Sequence, residues 1–457
     1  MRNAEFKRMG LAACVALVLG TATCVLCARP RREKRPNVLL ILVDTLRADH
    51  LGCYGYTRKT SPNLDRFAQR SMLFETCFSH APETGPSCAA LHSGFLPHET
   101  KVLCNGRMPG NIETLAERLR KHGYRTAAVV CNYVLRRGEG YEQGFEIYDD
   151  TMNERECVRQ LTERVARPAT DRAMALLAQF KDEPFFMWIH YQDPHGPYTP
   201  PGEYSGMFVD SALKPKALRV NGNESGRGGI PSYQQLGKHR DFHYYVSQYD
   251  GEIRYWDGQF GRLLEAVTKL GLYDRTLIVF SADHGEGMGE HDLYFSHGEN
   301  LHTSMTHVPL IIRYGRRLRG RRGEFVQHND LVPTILKALG LPMDPRLGGR
   351  DLRAGRLEET DIVAAMRGQR WSIIRSGMKL ICHGAPGSGH RELFDLRKDL
   401  GEKSNLAGRP ERRRQIDELA RALKTILRTD RLKVAPPPAR RLTDEEKRKL
   451  KSLGYAH

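Results

Sequence analysis

Asn37-Val-Leu-Leu-Ile-Leu-Val-Asp44 is an aliphatic run that ends abruptly on a carboxylate. Its length and branched side chains predict a strand buried on both faces. A carboxylate at the C-terminal end of such a strand stands where open α/β sheets place their ligand sites. Similar short runs follow at residues 125–131, 184–190, 276–281 and 308–314, separated by helical patterns at 112–122 and 172–181 and by a longer one from about 244 to 270. This alternation predicts a parallel or mixed sheet covered by helices. Residues 200–241, rich in Gly, Ser, Lys and Arg, read as a long loop of the kind that forms lids over active sites.

Beyond about residue 355 the texture changes. Residues 371–375 and 378–382 flank Ser376-Gly377, a hairpin signal, and residues 392–396 read as a further strand, so a small antiparallel sheet is expected. A charged helix is expected at 411–428, a break at Pro436-Pro437-Pro438, and a short helix opened by Thr443 with Glu446 as its capping box. The organisation read from these signals is a leader at 1–35, a large domain at 36–354, a C-terminal antiparallel-sheet subdomain at 355–407 and a basic helical tail at 408–457.

The formal charge of the 457 residues is +17, but residues 1–35 carry +6 of it and residues 408–457 carry +8, leaving +3 for the whole middle. Basic excess confined to a leader and a tail argues against a nucleic-acid groove. Met9 to Ala28 contains no charged residue and follows Arg2, Lys7 and Arg8, which reads as a signal sequence or anchor and predicts membrane association or a place outside the cytoplasm. The basic cluster from Arg29 to Arg35 pulls the other way under the positive-inside rule. Three of the ten cysteines, Cys14, Cys24 and Cys27, fall in this leader; no C-x-x-C pair lies beyond it, so neither a zinc ribbon nor a redox motif is supported.

Three strand ends collect chemistry. Asp44 closes the first strand, His190, Asp193 and His195 follow another, and Asp283-His284-Gly285-Glu286 a third. Carboxylates and imidazoles converging at one edge of a sheet make an oxygen and nitrogen site for a hard or borderline divalent cation.

With these residues in place, the sequence resembles the sulfatase family of the alkaline phosphatase superfamily. The resemblance rests on the stretch from Asn37 to Asp49, on Pro62-Asn-Leu-Asp65, on Thr84 to Gly94, on Asp193-Pro-His195-Gly-Pro-Tyr198, on Asp283 to Glu286, on Val308-Pro309-Leu310, on Leu331 to Leu336 and on Glu392 to Leu396, in that order across nearly all of 36–407. It implies an alkaline phosphatase-like α/β fold, a large mixed sheet sandwiched by helices with a smaller C-terminal α+β subdomain. It also implies a single divalent metal held by Asp44, Asp283, His284 and the oxygen of the nucleophile.

Several positions depart from the family. Thr45 stands where sulfatases often have a second Asp, which weakens a preference for calcium and admits manganese, magnesium or zinc. The nucleophile segment reads Thr84-Gly85-Pro86-Ser87-Cys88 in place of Cys/Ser-x-Pro-x-Arg. Threonine cannot become the formylglycine of true sulfatases, so an ester formed on Thr84 has to be cleaved by water or an acceptor alcohol. Cys88 replaces the arginine, leaving the N–H groups of a helix expected to begin near Ser87 to receive an anion. The family's lysine-histidine pair is absent, and Asn132 at that place is expected to donate to a substrate oxygen. His195 resembles the histidine near the leaving oxygen, and His297 stands where a lysine is usual, so both are candidates for acid catalysis. His190, for substrate binding, and His291 are weaker candidates. Arg47 and Asp49 read as structural.

The leading expectation is therefore a metal-dependent hydrolase of sulfate or phosphate esters on a sugar, lipid or polymer. A phospho-headgroup transferase and a catalytically silent binding protein are the alternatives.

Overall fold

The computed structural model describes residues 35–152, 154–155, 162–315, 318–386, 389–437 and 443–452. The leader, with Met9 to Ala28 and its three cysteines, lies outside them, as does Cys157. Among the described residues no helix is long and apolar enough to cross a membrane.

The strands are β1 (Asn37–Val43), β2 (Met72–Phe78), β3 (Arg125–Val130), β4 (Ile147–Asp149), the two-residue pair β5 (Glu154–Arg155) and β6 (Thr162–Glu163), β7 (Phe185–Tyr191), β8 (Thr276–Ala282), β9 (His307–Arg313) and β10 (Gly320–Gln327), followed by β11 (Ile362–Met366), β12 (Arg370–Arg375), β13 (Met378–His383) and β14 (Arg391–Asp395). Eight of them form one sheet in the order β10-β2-β9-β8-β1-β7-β3-β4. Every residue of β1 is buried, and β1 pairs in parallel with β7 on one side and β8 on the other. β9 runs antiparallel to both β8 and β2, which makes the sheet mixed. Because β1 is joined on its two sides to strands from different excursions of the chain, its C-terminal end is a topological switch point, the place where such sheets open a crevice.

Helices flank this sheet. Pro62–Ala68, Leu115–Lys121, Ala166–Phe180, the long Phe242–Lys269 and Leu331–Ala338 start and stop within a few residues of their sequence patterns where those were visible, Ala166–Phe180 starting six residues earlier than its pattern suggests. Thr84–Ser93 is buried along its whole length. It begins three residues before the expected start near Ser87, because Pro86 belongs to the first turn, where a missing N–H costs nothing.

The small sheet is an antiparallel meander, β11-β12-β13-β14. Ser376 (φ 50°) and Gly377 (φ 81°) make the β12–β13 connection with two left-handed residues, the backbone a two-residue hairpin of right-handed twist requires. One face of this sheet packs Trp371, Ile373, Leu380 and Leu393 under Ile416, Leu419 and Leu423 of the helix Arg413–Arg428. The other face packs Ile362, Ile374, Ile381 and Phe394 with Phe78 and Leu301 of the large unit. The capping box at Thr443 and Glu446 opens the helix Asp444–Ser452. Cys53, Cys77, Cys88, Cys104, Cys131 and Cys382 are all unbridged.

One core residue is a net cost. His92, near the end of the helix Thr84–Ser93, is buried with its ring 4.2 Å from that of Trp188, and neither ring nitrogen has a hydrogen-bond partner. Burial, reinforced by His190, pushes its pKa down to about 3. A group depressed below its unfolded value of about 6.5 contributes stability above that pH and loses it as pH falls toward 3. His92→Leu is therefore expected to stabilise the protein by about 1–2 kcal/mol at pH 7, by removing unpaired polar atoms, and by more at pH 4.5. Urea melts of parent and variant at the two pH values measure both the gain and its slope; a variant less stable at both would show that the imidazole has a partner.

Candidate active site

Four neighbouring strand ends converge on one point. Asp44 follows β1, His190 lies near the end of β7, Asp283 and His284 follow β8, and Asn132 lies two residues beyond β3. The backbone ties them together: the Asp44 N–H donates to the Tyr191 carbonyl at 3.0 Å and the Asp283 N–H to the Val43 carbonyl at 3.3 Å. Thr45 then turns the chain with a left-handed backbone (φ 54°), rare for a β-branched residue and costly unless its surroundings hold it. They do: its N–H donates to Asp283 Oδ1 at 3.2 Å and its carbonyl accepts from the Tyr249 hydroxyl at 2.7 Å.

Thr84 is the first residue of its helix, and its hydroxyl enters the same point. Thr84 Oγ1 lies 3.3 Å from His284 Nε2 and 3.5 Å from Asn132 Nδ2. Glu83, not Thr84, is the N-cap residue, and its side chain makes no capping bond. His284 Nε2 is 3.7 Å from Asp44 Oδ1 and 3.8 Å from Asp283 Oδ2. His284 Nδ1 faces the Gly285 carbonyl at 2.9 Å, and since a carbonyl only accepts, Nδ1 carries a proton and Nε2 is the nitrogen turned toward the carboxylates.

Asp44, Thr84, Asp283 and His284 are fully buried, and Asp44 Oδ1 has no hydrogen-bond partner. Burial and the facing Asp283 push the Asp44 carboxyl well above the usual range, against a hydrogen bond from Asn132. Despite its own burial, Asp283 is held well below it by His284 and His190. An orphaned carboxylate oxygen, a second carboxylate beside it and an imidazole nitrogen, all within 4.8 Å, are the donor set a divalent cation requires.

Other expected residues fall into definite places. Asn132 is engaged inside the cluster: its Nδ2 donates to Asp44 Oδ2 at 2.5 Å and its Oδ1 accepts from the Val134 N–H at 2.9 Å, so it positions Asp44. His190 is fully buried with Nε2 3.3 Å from Asp283 Oδ2; it orients that carboxylate and lines no open surface for substrate. The backbone cradle expected at Ser87 is not formed, because the Ser87 N–H bonds the Glu83 carbonyl and the Gly85 N–H is taken by Asn105 Oδ1 at 2.6 Å. His297 and His195 stand in series beyond His284, with ring centres 4.7 Å from His284 to His297 and 5.0 Å from His297 to His195. Burial, then His284, pushes His297 well below its ordinary value. Glu286, 3.5 Å from His297 Nδ1, is pushed up to about 8 by burial, against the attraction of His284. His291 lies elsewhere, stacked on His302. Arg47 pairs with Asp49 and Glu290 and donates to the Glu286 carbonyl, bracing the loop after β8.

Two contributors have no signal in the sequence. Arg367, in the turn between β11 and β12, donates two hydrogen bonds to Glu83 Oε1, at 2.8 and 2.7 Å, and so brings a cation beside the residue preceding Thr84. Tyr249, from the middle of the long helix, holds both Thr45 and the Arg47 N–H. Beside His195 opens a cavity of 730 Å³, lined in part by Asp193, Tyr198, Lys238, Tyr244 and Gln248.

Comparison with known proteins agrees with this arrangement. The family model described as Sulfatase matches residues 36–341. The chain is 23% identical to an N-acetylglucosamine-6-O-sulfatase of Bacteroides thetaiotaomicron, over 89% of each chain. It is 25% identical to a Delta 4,5-hexuronate-2-O-sulfatase of the same organism, over 86% of this chain and 88% of that one. Among solved structures, a protein in complex with its substrate D-glucosamine-2-N,6-O-disulfate superposes with a TM-score of 0.70 at 21% identity, covering 86% of this chain and 98% of the other. The phosphonate monoester hydrolase of Agrobacterium radiobacter gives 0.68 at 22% identity, covering 87% and 96%. A mixed eight-stranded sheet with a four-stranded antiparallel companion is the architecture of these structures. A family match over residues 36–341, together with relatives along most of the chain, places this protein in the sulfatase family of the alkaline phosphatase superfamily, as a sulfatase-like ester hydrolase.

Proposed function

We propose that the protein hydrolyses a sulfate or phosphate ester of a sugar, with Thr84 as nucleophile and one divalent cation held by Asp44, Asp283, His284 and the Thr84 oxygen. The observation that carries this reading is the buried Thr84 hydroxyl, 3.3 Å from a histidine nitrogen that also faces two carboxylates. A bound cation supplies charge neutralisation and lowers the pKa of a hydroxyl it contacts.

The chain's own groups account for the rest. Asn132 fixes the orientation of Asp44 and reaches the Thr84 oxygen. Attack by Thr84 Oγ1 forms a bond to phosphorus or sulfur as the bond to the sugar oxygen breaks, and the proton given up by the Thr84 hydroxyl is balanced by the one the sugar oxygen takes up on the side of His195 and His297. Glu286 stands 3.5 Å from His297 Nδ1. Water then cleaves the threonine ester at the same centre, since no aldehyde is available to expel the anion. The sugar preference draws on the relatives named for sulfated glucosamine and hexuronate, and on the tyrosine-lined cavity beside His195.

The test is an assay of the full chain on aryl sulfate, phosphate monoester, phosphonate monoester and sulfated glucosamine and hexuronate substrates, after chelation and reloading with calcium, magnesium, manganese or zinc. Turnover that requires an added metal and yields free sugar is expected. Product appearing on an added acceptor alcohol in place of water would make the enzyme a transferase, and no turnover under any metal would end the hydrolase reading.

A further inference from the structure

A second constellation of ligating side chains lies outside the catalytic cluster, where the hairpin β13–β14 meets the segment after β8. In that hairpin Cys382 pairs with Arg391 and Ile381 with Glu392. The next rung sets His383 against His390, whose carbonyl accepts from the His383 N–H at 3.0 Å. Since side chains alternate along a strand, Glu392 shares a face with His390, two residues away. The close rung depends on Gly389 (φ 80°), where a Cβ would come 2.3 Å from the His383 carbonyl oxygen. His383, His390 and Glu392 each bring one ligating atom within 4.8 Å of the others.

A third imidazole closes on the same carboxylate from the large unit. Glu392 Oε1 is 2.6 Å from His383 Nε2, and its Oε2 is 3.6 Å from His302 Nε2. The far nitrogen of His302, Nδ1, faces Glu402 Oε2 at 3.0 Å, and Glu402 is itself fixed by the buried Lys379 ammonium at 2.9 Å. An imidazole with one nitrogen anchored to a carboxylate and the other turned toward a ligand cluster is the arrangement by which proteins orient metal-bound histidines. Two imidazoles and one carboxylate, the carboxylate steadied by His302 and the site partly open to solvent through the exposed His390, suit a borderline cation of the zinc type far better than calcium or magnesium.

The geometry points to a second metal site, binding a zinc-type cation through His383, His390 and Glu392, with His302 positioning the Glu392 carboxylate from behind. It is distinct from the catalytic cluster and independent of the reading given for it.

The test counts ions. The full-length chain is stripped with chelator, titrated with zinc chloride, gel filtered, and its zinc measured by mass spectrometry, for the parent, H383A/H390A, E392Q and D283A. His383 and His390 are half-buried and exposed, so their replacement leaves the core untouched, and circular dichroism checks the fold. H383A/H390A is expected to lose one equivalent relative to the parent, and E392Q to bind that equivalent at least tenfold more weakly. D283A is expected to lose a different equivalent, so that combining it with H383A/H390A removes both. A parent with a single ion that survives D283A and vanishes in H383A/H390A would uphold this site while overturning the catalytic one. Equal zinc in H383A/H390A and parent would overturn the second site.

Discussion

Thr84→Ala is expected to lower kcat/KM by about a thousandfold or more, at least about 4 kcal/mol of transition-state stabilisation, while the protein stays folded and keeps its metal. Removing the hydroxyl takes away the proposed nucleophile. The fold loses little, because Glu83 is the N-cap residue and its carbonyl accepts the first bond of the helix, from the Ser87 N–H. Asp44, Asp283 and His284 remain to hold the cation. Thr84→Ser keeps an oxygen on the same Cβ and is expected to stay within about tenfold of the parent. Turnover of the preferred ester and metal content, measured on the three proteins side by side, decide the matter: an alanine variant as fast as the parent would remove Thr84 from the chemistry.

The second large effect separates function from stability. Asp44→Asn and Asp283→Asn are each expected to abolish metal-dependent turnover, again by about a thousandfold, because each removes an anionic ligand. In chelated protein the two are expected to diverge. Asp44, raised by burial and by Asp283, contributes stability at low pH that is lost as pH rises through its folded pKa, so at pH 7 its ionised form is a burden. Asp44→Asn removes that burden and is expected to be at least as stable as the parent. Asp283 is held low by His284 and His190, and also accepts from the Thr45 and His284 N–H groups. Its contribution is present above its unfolded pKa and lost only in strong acid, so Asp283→Asn is expected to cost about 2–4 kcal/mol at pH 7. Urea melts with chelator present test the contrast; equal losses in both variants would mean that the carboxylates do not oppose each other.

What was legible in the sequence follows from burial. β1, β3, β7 and β8 are covered on both faces, so each is a continuous apolar run and each was visible. β2 carries the exposed Glu75 and a break in register between Phe74 and Cys77, and β10, at the sheet edge, begins Gly-Arg-Arg-Gly with its first half largely open; neither has the pattern of a strand. The ligands could be read because they end apolar strands. The helix start was displaced because Gly85-Pro86 looks like a break in isolation, although proline is at home in a first turn. The Glu83–Arg367 pair lies 284 residues apart in the chain, and no local pattern marks such a partnership.

The central position of β1 has a consequence during synthesis. Its neighbours arrive late: Asn37 bonds the Phe185 N–H across 148 residues and Thr276 across 239. At about 5–20 residues per second, the ribosome needs roughly ten to fifty seconds to deliver β8 after β1 has emerged. Until β7 arrives the apolar stretch of β1 has no edge to pair with, and until β8 arrives Asp44 has neither Asp283 nor His284 beside it. The candidate active site therefore comes into existence in a late event, when β8 docks against β1 and brings Asp283 and His284 to Asp44.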